Sequence, residues 1–137
     1  MPEEKLHPPA WVDTPNKLQK MVDELAGRKV LAVDTESNSL YAYREQVCLV
    51  QVSTEEKDYL VDPLALDSLD PLAPFFSDPK IEKVFHAAEY DVICLRRDHG
   101  FHFSNIFDTM LASRILGRQE IGLGDILKGD LGISLDK

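Results

Sequence analysis

The sequence predicts an α/β domain in which a mixed β-sheet is flanked by helices on both faces. Three apolar strands with short connections come first, and short connections favour antiparallel neighbours. Strand–helix units follow, as expected for parallel strands. The 137 residues suffice for one domain with a hydrophobic core, since 44% are hydrophobic and 28% charged.

The N-terminal part of the chain is predicted to be an extended lead-in over residues 1–13, followed by the domain over residues 14–137. Asp13 or Thr14 caps a first helix, which Gly27 ends. Its apolar residues recur at helical spacing: Leu18, Met21, Val22 and Leu25.

The remaining elements follow from apolar runs and their breaks. Strands are predicted at 30–33, 46–53, 58–61, 81–85 and 106–107. Helices are predicted at 87–98, 109–116 and 123–127. The stretch 62–78 fits either one helix or a turn followed by a helix, and the pattern does not decide between them.

Two carboxylates follow the first predicted strand. The unbroken apolar run from Val30 to Val33 is typical of a strand buried on both faces. Asp34 and Glu36 then project to the same side, because strand side chains alternate with period two. Two carboxylates about 4 Å apart repel by roughly 4 kcal/mol at an effective dielectric near 20. The pair therefore requires a nearby Lys or Arg, or a divalent metal ion.

A third carboxylate, Asp91, lies on the helix after the fourth strand. It shares a helix face with small and apolar residues, so it points towards the protein and needs a partner. If the first and fourth strands are neighbours, Asp91 lies beside Asp34 and Glu36. Three converging carboxylates suit Mg²⁺ or Mn²⁺. An ion pair with Arg96 or Arg114 is the alternative.

Four ordered motifs resemble ribonuclease D, a member of the DEDD (DEDDy) superfamily of 3′-5′ exonucleases with a ribonuclease H-like fold. The motifs are Asp34-Thr35-Glu36, Val50-Gln51-Val52-Ser53, Phe85-His86-Ala87-Ala88-Glu89-Tyr90-Asp91 and Phe107-Asp108-Thr109. The resemblance implies two-metal hydrolysis of the 3′-terminal phosphodiester of RNA.

The resemblance also implies roles for individual residues. Asp34 would bind both metal ions, Glu36 would bind one and help to place the water, and Asp91 would help to hold the other. Leu40 would wedge against the terminal base, and the backbone around Thr35 would contact the 3′ end. The implied partners are single-stranded RNA 3′ ends such as those of tRNA precursors.

The sequence departs from the family pattern near its end. The last family motif is a Tyr followed four residues later by an Asp, yet no Tyr follows Asp108. Residues 131–137 resemble the segment before that motif. We therefore expect a C-terminally incomplete domain that lacks the fourth carboxylate and the auxiliary helical domains, with little or no activity. The alternative is a non-catalytic RNA-binding or assembly module.

Other polar residues have predicted supporting roles. His86, at a strand-to-helix junction, is expected to have a structural or substrate-phosphate role rather than to bind metal. Gln51 is expected to be a satisfied buried amide, and Asp108 a helix cap. Tyr41 and Tyr43 either face a nucleobase or cover the surface. The scattered cations are expected on a solvated face: Lys80, Lys83, Arg96, Arg97, Arg114 and Arg118.

Composition constrains partners and location. Fifteen Lys and Arg against 24 Asp and Glu give a net charge of −9, so the overall field does not attract a polyanion. Cys48 and Cys94 have no disulfide-framework spacing and are predicted to be reduced thiols. The N-terminus does not resemble a signal or transit peptide, and no apolar run approaches membrane-spanning length. A cytoplasmic location away from membranes is therefore predicted, and the oligomeric state is not.

Overall fold

Six strands form one sheet in this computed structural model, which describes residues 7–38 and 45–134. The strands are β1 (Ala10–Val12), β2 (Val30–Ser37), β3 (Val47–Ser53), β4 (Asp58–Val61), β5 (Glu82–Phe85) and β6 (Ile106–Asp108). Their order across the sheet is β1-β4-β3-β2-β5-β6. The predicted antiparallel meander is β2-β3-β4, and β5 and β6 extend the sheet on the other side in parallel.

In the described part of the chain, five α-helices connect or follow the strands. They are α1 (Pro15–Leu25), α2 (Ala73–Ser77), α3 (Ala88–His99), α4 (Thr109–Ile115) and α5 (Leu123–Ile126). Thr14 caps α1 by accepting a hydrogen bond from the Lys17 backbone N–H. The undecided stretch 62–78 contains a 3-10 turn at Asp70–Leu72 that leads into α2, and a π-helical turn, Leu127–Leu131, follows α5.

The segment predicted as a lead-in contributes an edge strand. β1 pairs in parallel with β4, with Val12 opposite Val61. Val12 is buried, whereas Trp11 stays on the surface as expected. The sheet therefore begins before the first helix.

The two faces of the sheet differ in burial. We call one the closed face; it packs with α1, α2 and α3 into a single hydrophobic core. Its side chains are all buried: Leu31, Val33, Thr35, Val50, Val52, Tyr59, Val61, Lys83 and Phe85. We call the other the open face; its side chains are half-buried or exposed: Val30, Ala32, Asp34, Glu36, Leu49, Gln51, Ser53, Asp58, Leu60, Glu82 and Val84.

The prediction that β2 is buried on both faces is therefore wrong. Leu31 and Val33 are buried, but Val30 is 42% exposed and Ala32 is exposed too. Burial alternates along the strand in the usual way, with every second side chain in the core. The sequence does not show this alternation, because all four residues are apolar. The wider prediction, a mixed sheet flanked by helices, is confirmed. On the open face, Leu123 of α5 lines a cleft with Ala32.

Two predictions about the chain as a whole can be checked against the described residues. Cys48 and Cys94 are both free thiols. Within residues 7–38 and 45–134, no helix has the length and apolar character needed to cross a bilayer. The cytoplasmic location stays a prediction.

Candidate active site

Asp34 and Glu36 lie within β2 and not beyond its end. The strand continues to Ser37, and the register pairs Asp34 with Gln51 and Glu36 with Leu49. Both carboxylates project from the open face and are exposed, which confirms that they share one side of the sheet. The Asp34 carboxylate accepts a hydrogen bond from the Thr35 backbone N–H at 2.9 Å.

Asp91 approaches β2 from the closed face of the sheet. It is buried in the first turns of α3, and its Oδ1 accepts a hydrogen bond from the Thr35 hydroxyl at 2.5 Å. Because Thr35 alternates with its two acidic neighbours, its side chain points to the closed face. The helix and the strand are therefore joined directly at the acidic motif.

The ionisation of Asp91 is affected by its burial and by the carboxylates around it. The pKa of Asp91 is raised to about 6. Burial is the largest cause, and the hydrogen bond from Thr35 acts in the opposite direction. The negative charges of Asp34, Glu36 and Asp108 add to the rise. Like charges near a buried carboxyl group disfavour its ionised form.

No cation of the chain pairs with these carboxylates in the described ranges. The salt bridges there do not include Asp34, Glu36 or Asp91, so the alternative pairing of Asp91 with Arg96 or Arg114 is not observed in that part of the structure. Hard carboxylate oxygens with excess negative charge match the chemistry of a divalent ion. A complete cage is not preformed: among residues 7–38 and 45–134, no three His, Cys, Asp or Glu side chains are grouped as metal ligands.

A cleft of about 320 Å³ adjoins Asp34 on the open face. Gln51 and His86 are among its lining residues. Gln51 is half-buried, so the predicted buried amide is instead a side chain of the cleft wall. His86 contacts the start of α4: its Nδ1 lies 2.8 Å from the Thr109 hydroxyl oxygen. This contact is of the structural kind that was predicted.

Asp108 caps α4 as predicted, since its carboxylate accepts from the backbone N–H groups of Met110 and Leu111. It also accepts from the N–H groups of Ala87 and Ala88 at the start of α3. This second pair of contacts was not predicted, because the sequence separation between Asp108 and α3 gives no local signal.

Two further residues, Lys83 and Tyr90, depart from the sequence interpretation or were missed by it. Lys83 is fully buried, and its Nζ donates to the carbonyl oxygens of Asp78 and Ile81. The expectation of a solvated Lys83 was wrong, although period two from Phe85 would have placed it inwards. The Tyr90 hydroxyl lies 3.2 Å from Ser37 Oγ, beside the acidic motif. Leu40, Tyr41 and Tyr43 lie outside the described residues.

Comparison with known proteins gives matches over nearly the whole chain. A family model described as 3′-5′ exonuclease matches residues 9–137. Exosome complex exonuclease RRP6 of Saccharomyces cerevisiae is 43% identical over 121 residues, which cover 88% of this chain and 16% of that protein.

Solved structures agree with these sequence matches. The catalytic core of RRP6 from Trypanosoma brucei has a TM-score of 0.87 and 35% identity, covering 94% of this chain and 36% of that one. RNase D of Escherichia coli, an exoribonuclease involved in structured RNA processing, has a TM-score of 0.87 and 25% identity, covering 95% of this chain and 35% of that one. This chain spans well under half the length of each of these three relatives.

Proposed function

The chain belongs to the 3′-5′ exonuclease family, and from that premise we propose that it acts on RNA 3′ ends, hydrolysing the terminal phosphodiester with Mg²⁺ or Mn²⁺ at Asp34, Glu36 and Asp91. RNA is the proposed substrate because the similar proteins include an exosome complex exonuclease and an exoribonuclease. The finer features implied by the family resemblance are two metal ions and single-stranded 3′ ends such as those of tRNA precursors. A cytoplasmic location belongs to the same proposal.

The observation that carries the proposal is the acidic site at β2 and α3, with which no Lys or Arg of residues 7–38 and 45–134 forms a salt bridge. Asp34 and Glu36 are exposed on the open face. Asp91 accepts a hydrogen bond from the hydroxyl of Thr35, whose side chain lies on the closed face. When bound there, a divalent ion supplies positive charge that favours ionisation of the attacking water and stabilises the departing oxygen. The cleft beside Asp34 offers space next to that carboxylate, and its wall includes Gln51 and His86.

The family resemblance assigns a fourth carboxylate to a Tyr-x-x-x-Asp helix. We expect residues 1–137 alone to shorten 3′-labelled RNA slowly, because three carboxylates hold a pair of ions less well than four. The same residues followed by a Tyr-x-x-x-Asp helix should shorten it faster. If the lengthened protein folds but is no faster, a Tyr-x-x-x-Asp helix does not determine the rate of residues 1–137.

Metal binding is the first test. Titration with Mn²⁺ should raise the melting temperature of the wild-type chain, and Asp34→Asn should abolish that rise because it removes an exposed ligand. Asp67→Asn is the matched control: Asp67 is an exposed carboxylate in the 62–69 loop, and the same charge is removed. No Mn²⁺-dependent rise in the wild type, or an equal loss in both variants, would contradict the proposed site.

Product analysis is the second test, and it separates the two functions that the sequence left open. The second candidate is a non-catalytic RNA-binding module, which would not need three grouped metal ligands, and no such group is present among the described residues. An exonuclease should release single nucleotides from a 3′-hydroxyl RNA in Mg²⁺, and Asp34→Asn should slow release at least tenfold. RNA that binds but keeps its length, even with the Tyr-x-x-x-Asp helix present, would instead support the binding module.

A further inference from the structure

Asp108 joins two helices whose first turns lie side by side. Its carboxylate accepts four backbone hydrogen bonds, from Ala87 at 2.9 Å, Ala88 at 2.8 Å, Met110 at 2.9 Å and Leu111 at 3.3 Å. Met110 and Leu111 belong to α4, whereas Ala87 and Ala88 begin α3. The first-turn N–H groups of a helix have no partner within the helix. One side chain therefore satisfies donors of two helices.

The charge state of Asp108 fits this role. Burial raises the pKa of Asp108, but the backbone hydrogen bonds from Ala88, Ala87, Leu111 and Met110 outweigh burial and hold it below its ordinary value. Asp108 is thus a stable anion at neutral pH. An amide in its place would retain one acceptor oxygen instead of two.

Ala87 shows what these hydrogen bonds hold in place. Its backbone has φ 60° and ψ 61°, the left-handed conformation, which is disfavoured for alanine because Cβ crowds the following carbonyl oxygen. Successive N–H groups around such a residue form a concave anion site, and here the Asp108 carboxylate occupies it. A disfavoured conformation persists only where the surroundings impose it, and Asp108 supplies two of those contacts.

Ala87 also determines where Asp91 lies. Ala87 is the N-cap of α3, and the N-cap carbonyl accepts the hydrogen bond from the N–H four residues later, which is that of Asp91. A second link between the same junctions comes from Thr109, whose hydroxyl contacts His86 Nδ1 and donates to the Phe85 carbonyl. The start of α3 is therefore fixed one turn before Asp91.

We propose that Asp108 is a positioning residue of the acidic site: it holds Ala87 in the left-handed conformation and so sets Asp91 against Thr35. Its part in metal binding rests on the proposed function, whereas its effect on Asp91 does not. The simpler alternative is that Asp108 only caps α4. In that case its loss would weaken the fold without a specific effect at Asp91.

Amide hydrogen exchange in EDTA tests the effect on Asp91 without metal. Asp108→Asn should speed exchange of the Asp91 amide at least tenfold and that of Leu95, one turn later, less than threefold. Thr14→Ala is the matched control, because it removes the cap of α1, which carries none of the site residues. Unchanged exchange at Asp91, or an equal change in Thr14→Ala, would overturn the proposal.

A second-site variant tests the route through Ala87. Glycine adopts the left-handed conformation freely, so adding Ala87→Gly to Asp108→Asn should slow the Asp91 amide exchange again by at least threefold. No rescue would overturn the proposal. If Asp108→Asn does not fold, Ala87→Val with Asp108 intact should reproduce the faster exchange, since a β-branched residue disfavours this conformation more strongly; unchanged exchange would contradict the proposal.

Mn²⁺ affinity, measured by calorimetry on the same proteins, connects the positioning to the site. Asp108→Asn should weaken binding at least tenfold, and Thr14→Ala less than twofold. If Mn²⁺ binds the wild type and Asp108→Asn equally well, the link from Asp108 to the metal site is wrong. If the wild type binds no Mn²⁺ but exchange at Asp91 responds as expected, the proposed function fails and the positioning of Asp91 by Asp108 stands.

Discussion

The two faces of the sheet differ in burial and in charge: the closed face carries the hydrophobic core, and the open face carries Asp34 and Glu36. On the closed face, Leu31 and Val61 are completely buried among side chains from three helices. On the open face of the same strand β2, Val30 is 42% exposed and the acidic pair is accessible. Adjacent residues of β2 therefore lie in different environments, one in the core and the next near solvent. The difference shows how one strand can carry an exposed acidic pair on one face and core residues on the other.

Asp91 and Lys83 are the charged groups on the buried side of this division, and they differ in how they are accommodated. Lys83 donates to the carbonyl oxygens of Asp78 and Ile81, which precede β5. Asp91 has the Thr35 hydroxyl as its partner and negative neighbours around it. The lysine is satisfied locally, whereas the aspartate is left with a charge that the chain does not balance in its described part.

The largest expected effect comes from truncating the same residue type on each face. Leu31→Ala should lower the free energy of unfolding by about 3–5 kcal/mol, because it removes a fully buried side chain and leaves a cavity. Leu60→Ala, on the half-buried open face, should cost about 1 kcal/mol or less. Urea denaturation measures both. Equal losses would show that the open face contributes to the core as much as the closed one.

The next effect concerns the buried carboxyl group of Asp91. Its folded-state pKa, about 6, lies above the ordinary value of 3.8 for an aspartate, so the folded state binds the proton more tightly. The stability that this provides is fully present below pH 3.8 and is lost as the pH rises through 6. Asp91→Asn should therefore raise the free energy of unfolding at pH 8 in EDTA by up to roughly 3 kcal/mol.

The pH series is the control for that variant. The gain of Asp91→Asn over the wild type should shrink as the pH is lowered from 8 to 4, because the wild-type carboxyl group becomes neutral. A difference that does not change with pH would mean that Asp91 ionises normally in the folded chain, and the contrast between the two faces would lose its electrostatic part.

The smallest effect is expected at Lys83. Burial lowers its pKa, and the Asp78 charge opposes that effect, so its charged form costs stability at neutral pH. Lys83→Met removes this cost but leaves the carbonyl groups with one donor fewer, although the Asp78 carbonyl still accepts from the Ile81 N–H. We expect a net change within about 1 kcal/mol at pH 7.

The pH dependence gives Lys83→Met a sharper test. The wild type should gain stability as the pH rises towards 10.5, because the unfolded chain binds the lysine proton more tightly than the folded chain does. Lys83→Met should not show this rise in stability with pH, because methionine does not titrate. A loss at pH 7 as large as that of Leu31→Ala would show that the buried ammonium group is an essential part of the core.

Several features of the site could be predicted because they depend on local rules. The alternation of a strand placed Asp34 and Glu36 on one side, and the apolar helix neighbours of Asp91 predicted that it is buried. The cap at Asp108 followed from its place before a helix. Strand alternation from Phe85 would also have placed Lys83 in the core. It was instead predicted to be solvated, because charged side chains usually lie in solvent.

What the sequence by itself determined is the order of the strands from β2 to β6 and the family resemblance, and it predicted the three carboxylates of the candidate site. Only the tertiary structure decided that β2 is covered on one face, that Thr35 is the partner of Asp91, and that Asp108 reaches the start of α3. The physical reason is the range of each interaction. Alternation and capping act over a few residues, whereas the contacts of Asp91 and Asp108 join residues 56 and 21 positions apart, and those separations close only when the sheet has formed.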